Sequence, residues 1–354
     1  MKACEKAFSF FMPQEKIIAL ESLSTGLIND TWLAGAQSGN YVLQRLNSAV
    51  FPDLALVQKN ICRVTEHLQA ELNNSTGSFK FFRVLRNPFR KAVYLDDSGS
   101  YWRLLSYIDN SKTFHSVTEL DQARELGAAL GLFHRLVSTL PSPSLADPLP
   151  GLHNTPLYLF QYDNLLPVAS NPEAADCRDF IAERRKAIPL LAIAHQQGRI
   201  TEQVVHGDPK VANFLFSEDG KQVISLVDLD TVRPGLLLHD LGDCLRSCCN
   251  PMGEEVQQPE DVVFEQELFA AVLNGYLSHT AELLTPDDRR LIVDSAHLLS
   301  LELGLRFYSD YLAGNCYFKV KYPKHNLFRA RVQFALVRSI EQQYNALRAL
   351  ESNS

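Results

Sequence analysis

Apolar and polar residues alternate along several short runs in the first third of the chain: Leu20 to Ser24, Thr31 to Ala34, Tyr41 to Leu46 and Tyr101 to Tyr107. Alternation turns one face of each run toward a core and the other toward water, which predicts strands of a small antiparallel sheet. Gly39-Asn40 and Asp96-Asp97-Ser98-Gly99 have the composition of turns between such strands. Between Phe51 and Leu72 the period lengthens. Leu54, Val57, Ile61, Val64 and Leu68 recur every three to four residues, so one amphipathic helix is expected against that sheet.

After Asp109 the helical period dominates. Leu120, Ala123, Leu126, Leu130, Phe133 and Val137 form one stripe of a helix over residues 118–140, and similar patterns cover 174–195, 262–284, 286–312 and 326–350. A Pro-rich loop spans 141–156. One strand-rich interruption breaks the helices: Val204-Val205, Phe214 to Phe216 and Val223 to Val227, with Glu218-Asp219-Gly220 as a hairpin turn. The pattern predicts an α+β chain. With 354 residues, two lobes sharing a cleft are expected in preference to one undivided core.

Composition narrows the partners. The balance of 34 Lys and Arg against 41 Asp and Glu gives a net charge of −7, which disfavours nucleic acid and anionic membranes and points to small-molecule partners. No apolar run reaches the roughly 20 residues of a membrane span, and the first twelve residues lack the ordered pattern of a secretion signal, so a cytoplasmic chain is expected. Seven Cys without any Cys-x-x-Cys spacing indicate free thiols. Cys244 and Cys248 share a helical face near His239, where buried thiols or a metal site are both open readings.

Chemistry concentrates in the strand-rich interruption. The segment from Val204 to Phe216 carries His206, Asp208 and Asn213 on a loop between two apolar runs, and Asp228 ends another strand fifteen residues after Asn213. Phosphoryl transfer from ATP requires an acceptor hydroxyl aimed in line and neutralisation of phosphate charge by metal. Magnesium takes hard oxygen ligands, which suits the Asn213 amide and the Asp228 carboxylate, while Asp208 suits acceptance of the hydroxyl proton. Each residue alone has a bland alternative in turn or capping chemistry. The ordered set points to a kinase.

These residues resemble the catalytic loop His-Gly-Asp-x-x-x-x-Asn of the aminoglycoside phosphotransferase and choline kinase superfamily. The resemblance narrows through Val227-Asp228-Leu229-Asp230-Thr231, Pro234-Gly235, His239-Asp240-Leu241-Gly242-Asp243, Gly304-Leu305-Arg306-Phe307, Tyr317-Phe318, Lys321-Tyr322-Pro323 and His325-Asn326-Leu327. Together with Gly26-Leu27-Ile28-Asn29-Asp30-Thr31 and residues 41–47, these runs look like the N-acetylhexosamine 1-kinases, which phosphorylate the anomeric hydroxyl of N-acetylglucosamine or N-acetylgalactosamine. The resemblance implies a bilobal protein-kinase-like fold. It divides the chain into an ATP-binding lobe over 1–108, a hinge at 105–108 and a larger, mostly helical catalytic and substrate-binding lobe over 109–354.

It also implies ATP and magnesium as cofactors, with Gly26, Asn29, Gln44, Ser106 and Ile108 on the nucleotide and Asp230, Thr231, Arg306 and Tyr317 joining Asp208 around the sugar. Asp230 is equally a turn residue, and Arg306 equally a structural ion-pair partner; Lys319 is a weaker candidate for the sugar pocket. Asp240 and Asp243 read as structural, one of them pinning the loop through His206. The pattern departs from the family at Gln44, where many members carry Lys, and at Leu27, where some sugar 1-kinases carry His. The departures keep two rivals open: a kinase for another small alcohol, such as an aminoglycoside, choline or a polyol, and a non-catalytic nucleotide-binding protein.

Overall fold

The computed structural model describes residues 2–23, 28–72, 79–166, 174–256 and 258–352. A helix absent from the sequence expectations opens the chain. α1 (Lys2–Phe11) buries Cys4, Ala7, Phe8 and Phe11, the i, i+3, i+4, i+7 stripe of an amphipathic helix. That stripe meets Ala34, Leu43, Trp102 and Leu104 in an apolar cluster of its own against an antiparallel sheet. The sheet comprises β1 (Ala19–Ser22), β2 (Asp30–Ala36) and β3 (Gly39–Leu46), then, after α2 (Leu54–Leu72), β4 (Val84–Leu85), β5 (Tyr94–Leu95) and β6 (Tyr101–Ser106). Its order is β1-β2-β3-β6-β4, with β5 alongside β6.

Register decides which side chains meet. Leu43 pairs with Leu104 and Gln44 with Arg103, so the period of two turns the leucines to α1 and the two polar residues to the opposite face. Between β2 and β3 the turn is Gln37-Ser38, two residues before the expected Gly39-Asn40, because Ala36 already pairs with Gly39. The Glu15 carboxylate accepts from the Ser38 backbone amide and hydroxyl and holds that turn. α2 starts where the Asp53 carboxylate caps the Leu56 amide. Its stripe shares the main core with Leu46 and Leu105 of the sheet and with Phe133 of the next long helix.

The remainder is helical around short strands: β7 (Ser111–Lys112), α3 (Leu120–Val137), α4 (Thr155–Leu165), α5 (Ala175–Arg184), α6 (Leu190–Gln196), β8 (Gln203–Val205), β9 (Phe214–Ser217), β10 (Val223–Leu226), β11 (Arg233–Gly235), α7 (Leu237–Cys248), α8 (Gln266–Thr280), α9 (Pro286–Arg290), α10 (Ile292–Leu312), α11 (His325–Gln342) and α12 (Tyr344–Ser352). Three expected helices are each two. The break before α6 follows Pro189, which cannot donate to a continuing helix. The others fall at Leu291 and Gln343, whose φ values near −105° leave the helical region.

α3 and α8 cross almost in contact: a Cβ on Gly127 would lie 1.9 Å from the Val272 carbonyl oxygen, and one on Gly275 2.0 Å from that of Arg124. Against this pair the two short ladders β8–β11 and β9–β10 hold the polar loops in place. All seven cysteines are free thiols. Among the described residues no helix is long and apolar enough to cross a membrane.

Candidate active site

The loop between β8 and β9 is fixed where it leads into Asp208, because the backbone amides and carbonyls of His206, Gly207 and Asp208 all have partners. The Asp240 carboxylate, on α7, accepts from the amides of His206 (2.6 Å) and Gly207 (2.8 Å). The Thr231 hydroxyl donates to the His206 carbonyl (2.9 Å), and the His153 ring lies 3.0 Å from the Gly207 carbonyl. The Asp208 amide donates to His206 Nδ1 at 3.2 Å, while Asn213 Nδ2 donates to the Asp208 carbonyl at 2.7 Å. Gly207 has a φ of 89°, and a Cβ there would lie 2.7 Å from the Thr231 carbonyl oxygen, so glycine is required twice over.

β10 delivers the third residue. The Val227 amide donates to the Asn213 carbonyl (2.9 Å), and the Val227 carbonyl accepts from His206 Nε2 (2.9 Å), so Asp228 is held beside the loop. These contacts fix His206 as the Nε2–H tautomer, and burial pushes its pKa down. Asp228 then takes φ 68° and ψ 57°, a left-handed conformation uncommon outside glycine and typical of constrained sites.

Electrostatics separate the two carboxyls. Burial would raise Asp208, but the Lys210 ammonium in contact with its Oδ2 more than offsets this and leaves Asp208 below the usual carboxylate range. Asp228 is pushed up to about 7 by burial and by the neighbouring Asp230 and Asp208 charges. Among the described residues no side chain donates to the Asp228 carboxylate or to Asn213 Oδ1. A carboxyl disfavoured by two others, next to a neutral amide oxygen whose own NH2 is spent on Asp208, fits a hard divalent cation.

Asp230 sits 2.6 Å from the Arg103 guanidinium and accepts from Asn29 Nδ2 at 2.7 Å, which ties two strand-bearing segments of the first third to the segment after β10. Gln44 Oε1 accepts from Arg103 Nε (2.7 Å) and its Nε2 donates to Thr31 (3.1 Å). Asn29 Oδ1 in turn caps the Asn47 amide. Ser106 exchanges hydrogen bonds with the Arg83 backbone, and the Ile108 carbonyl accepts from Ser111. Gly26 lies outside the described residues, as does Leu27.

On the other side, Arg306 stacks on Tyr158 (4.9 Å) and Phe318 (5.6 Å). Burial would lower its pKa, but Tyr158, Glu302, Tyr317 and Asp208 more than offset this and raise it. Among the described residues it makes no ion pair. The Tyr317 ring is half exposed, edge-on to Phe318, and both backbone amides are held by Asp310. The Lys319 carbonyl accepts from Arg329. Cys244, Cys248 and Cys249 are buried thiols pushed up by that burial, and among the described residues no three His, Cys, Asp or Glu side chains converge to hold a metal.

The structure therefore brings Asp208, Asn213 and Asp228 together and seats Asp230 and Thr231 against them. Sequence reasoning passed over Arg103, Lys210 and His153. An arginine inside the apolar run 101–107 was the available signal for the first, since a buried guanidinium demands partners.

The model of the phosphotransferase enzyme family matches residues 19–283. Similar solved structures include a microcompartment-associated aminopropanol kinase (13% identity, 98% of each chain, TM-score 0.65). Others are an aminoglycoside phosphotransferase from Alicyclobacillus acidocaldarius (12%, 99% of this chain and 96% of that one, 0.64) and a choline/ethanolamine kinase family protein from Mesorhizobium loti (19%, 95% and 93%, 0.57). At these identities the structures establish the protein-kinase-like α+β fold, and the sequence match establishes the family. The chain belongs to the phosphotransferase enzyme family and is a small-molecule phosphotransferase.

Proposed function

We propose that the chain transfers the γ-phosphoryl group of ATP, with magnesium, to the anomeric hydroxyl of an N-acetylhexosamine or a related free sugar in the cytoplasm. The convergence of Asp208, Asn213 and Asp228 carries the phosphotransfer half of this reading. Asn213 Oδ1 and the Asp228 carboxylate would hold the cation, which neutralises phosphate charge when bound. Asp208 accepts a hydrogen bond from the acceptor hydroxyl and takes its proton as the new P–O bond forms and the bond to ADP breaks. Lys210 keeps Asp208 ionised before that step. Gln44, Asn29, Ser106 and Ile108 are assigned to the nucleotide side, with the hinge at 105–108 between an ATP lobe and an acceptor lobe.

Arg306 supports a neutral acceptor. Its guanidinium lies over the Tyr158 and Phe318 rings and is one of the charges that Asp208 acts on, so choline or an aminoglycoside at Asp208 would bring like charge to like charge. A hydroxyl-rich sugar instead offers acceptors to Arg306, hydroxyl donors to Asp230, and either to the Thr231 and Tyr317 hydroxyls. The test is 31P NMR of reactions containing ATP, magnesium and either free N-acetylglucosamine and N-acetylgalactosamine, their methyl glycosides, or cationic alcohols. A sugar 1-phosphate from the free sugars alone is expected. Equal turnover of the methyl glycosides moves the acceptor off the anomeric carbon, and turnover of cationic alcohols alone overturns the sugar reading.

A further inference from the structure

His153 stands in the turn before α4 at a φ of 58°. Its buried ring lies between two oxygens: Nδ1 is 3.0 Å from Glu302 Oε1, and Nε2 is 3.0 Å from the Gly207 carbonyl. A carboxylate and a peptide carbonyl only accept, so each ring nitrogen must carry a hydrogen. Neutral imidazole has one; imidazolium has two. Glu302 is also held on its far side, where Oε2 accepts from the Thr155 hydroxyl at 2.6 Å.

We propose that His153 is a positioning residue: a buried imidazolium, paired with Glu302, that grips the Gly207 carbonyl and so sets the Asp208 side chain one residue on. The Gly207 amide is already committed to Asp240, and the Thr231 carbonyl closes the third side. The loop therefore has one orientation only while His153 donates.

The surrounding charges agree with this state. Burial opposes the imidazolium, but the Glu302 carboxylate outweighs it, with Arg233 of β11 opposing and Asp243 of α7 assisting, and the pKa is raised above 6.5. The His239 ring of α7, 5.2 Å away, is pushed down to about 3 by burial and by His153, so the neighbour stays neutral. Glu302 is held down to about 2, chiefly by His153 against its own burial. Arg306 follows Glu302 by one helical turn on α10 and feels the same carboxylate.

As pH rises through the raised pKa, the ring loses a hydrogen and either Gly207 or Glu302 loses its donor. Nitrogen-15 NMR of the full chain labelled at histidine, titrated from pH 5 to 9, tests the protonation without any substrate, with His153→Gln assigning the signal. A midpoint above 6.5 with both nitrogens protonated below it is expected, moving down by at least one unit in Glu302→Gln. A midpoint at or below 6.5, or a ring bare at Nδ1 beside a protonated Glu302, overturns the imidazolium.

The positioning role is read kinetically with ATP, magnesium and N-acetylglucosamine or N-acetylgalactosamine, and this arm rests on the proposed transfer. His153→Gln should lower kcat on the order of ten- to a hundredfold, leave the KM for ATP unchanged and abolish the alkaline fall of kcat. An unchanged kcat and pH profile overturns positioning. Lack of turnover in the unmutated protein counts against the acceptor reading, and the NMR titration still decides the imidazolium.

Discussion

The convergence of Asp208, Asn213 and Asp228 was legible because, on the proposed reading, phosphotransfer constrains both their type and their spacing: a loop and the adjoining strand would have to place three short polar side chains around one phosphate. Gln44 was legible only in direction. Alternation gave its face correctly, but a single strand does not reveal that Arg103 is its partner across β3 and β6. With Gln44 Oε1 accepting from Arg103 Nε, Gln44→Lys removes an acceptor and sets a second cation beside a buried guanidinium. We expect this variant to lose about 1–3 kcal/mol of stability, the range for an unsatisfied buried polar group, as a lowered denaturant midpoint. A midpoint unchanged from the parent would mean that Arg103 has another acceptor at hand.

At the scale of elements, the sheet and the long helices followed from period alone, and the errors have physical causes. Each of these breaks is a single residue, Leu291 or Gln343, too short for periodicity to register, so α9–α10 and α11–α12 read as single helices. α1 was missed although its four buried residues show the stripe. The α3–α8 crossing was invisible in principle, since Gly127 and Gly275 reveal their purpose only when two helices meet. Gly275→Ala should destabilise the fold by roughly 1–3 kcal/mol or more through overpacking, read by thermal unfolding; unaltered stability would contradict the close approach.

The segment around Tyr317 is fastened differently. Glu255 accepts from Lys321, His325 and Arg329. Burial would raise Glu255, but Lys321 and Arg329 more than offset it and hold its pKa down to about 2. A depressed carboxylate stabilises above its unfolded value and loses that effect as pH falls through the folded one. The stability difference between the parent and Glu255→Gln should therefore be full above pH 4.5 and shrink as pH falls toward 2, a small effect because Glu255 is 43% exposed on its side chain. A difference that grows on acidification would contradict the arrangement.

At the scale of the whole molecule, contacts between distant segments turn separate motifs into one site. Asn29, just before β2, and Arg103 of β6 hold Asp230, two residues beyond Asp228. Asp240, from α7, carries the backbone amides that precede Asp208 and is itself held 2.9 Å from His134 of α3. No periodicity encodes these pairings, because each joins residues more than thirty positions apart. They leave the Asp208 carboxylate against Lys210, where it does not serve as a backbone brace.

The most direct measurement compares Asp208→Asn with the parent for turnover and for nucleotide affinity, using ATP and magnesium with free N-acetylhexosamines as acceptors. Turnover should fall by roughly a hundredfold or more, the scale of a lost general base, while the dissociation constant for ATP stays within a few-fold because Asn213 and Asp228 are untouched. Retention of most of the activity together with a lower unfolding temperature would make Asp208 a structural cap and contradict the mechanism.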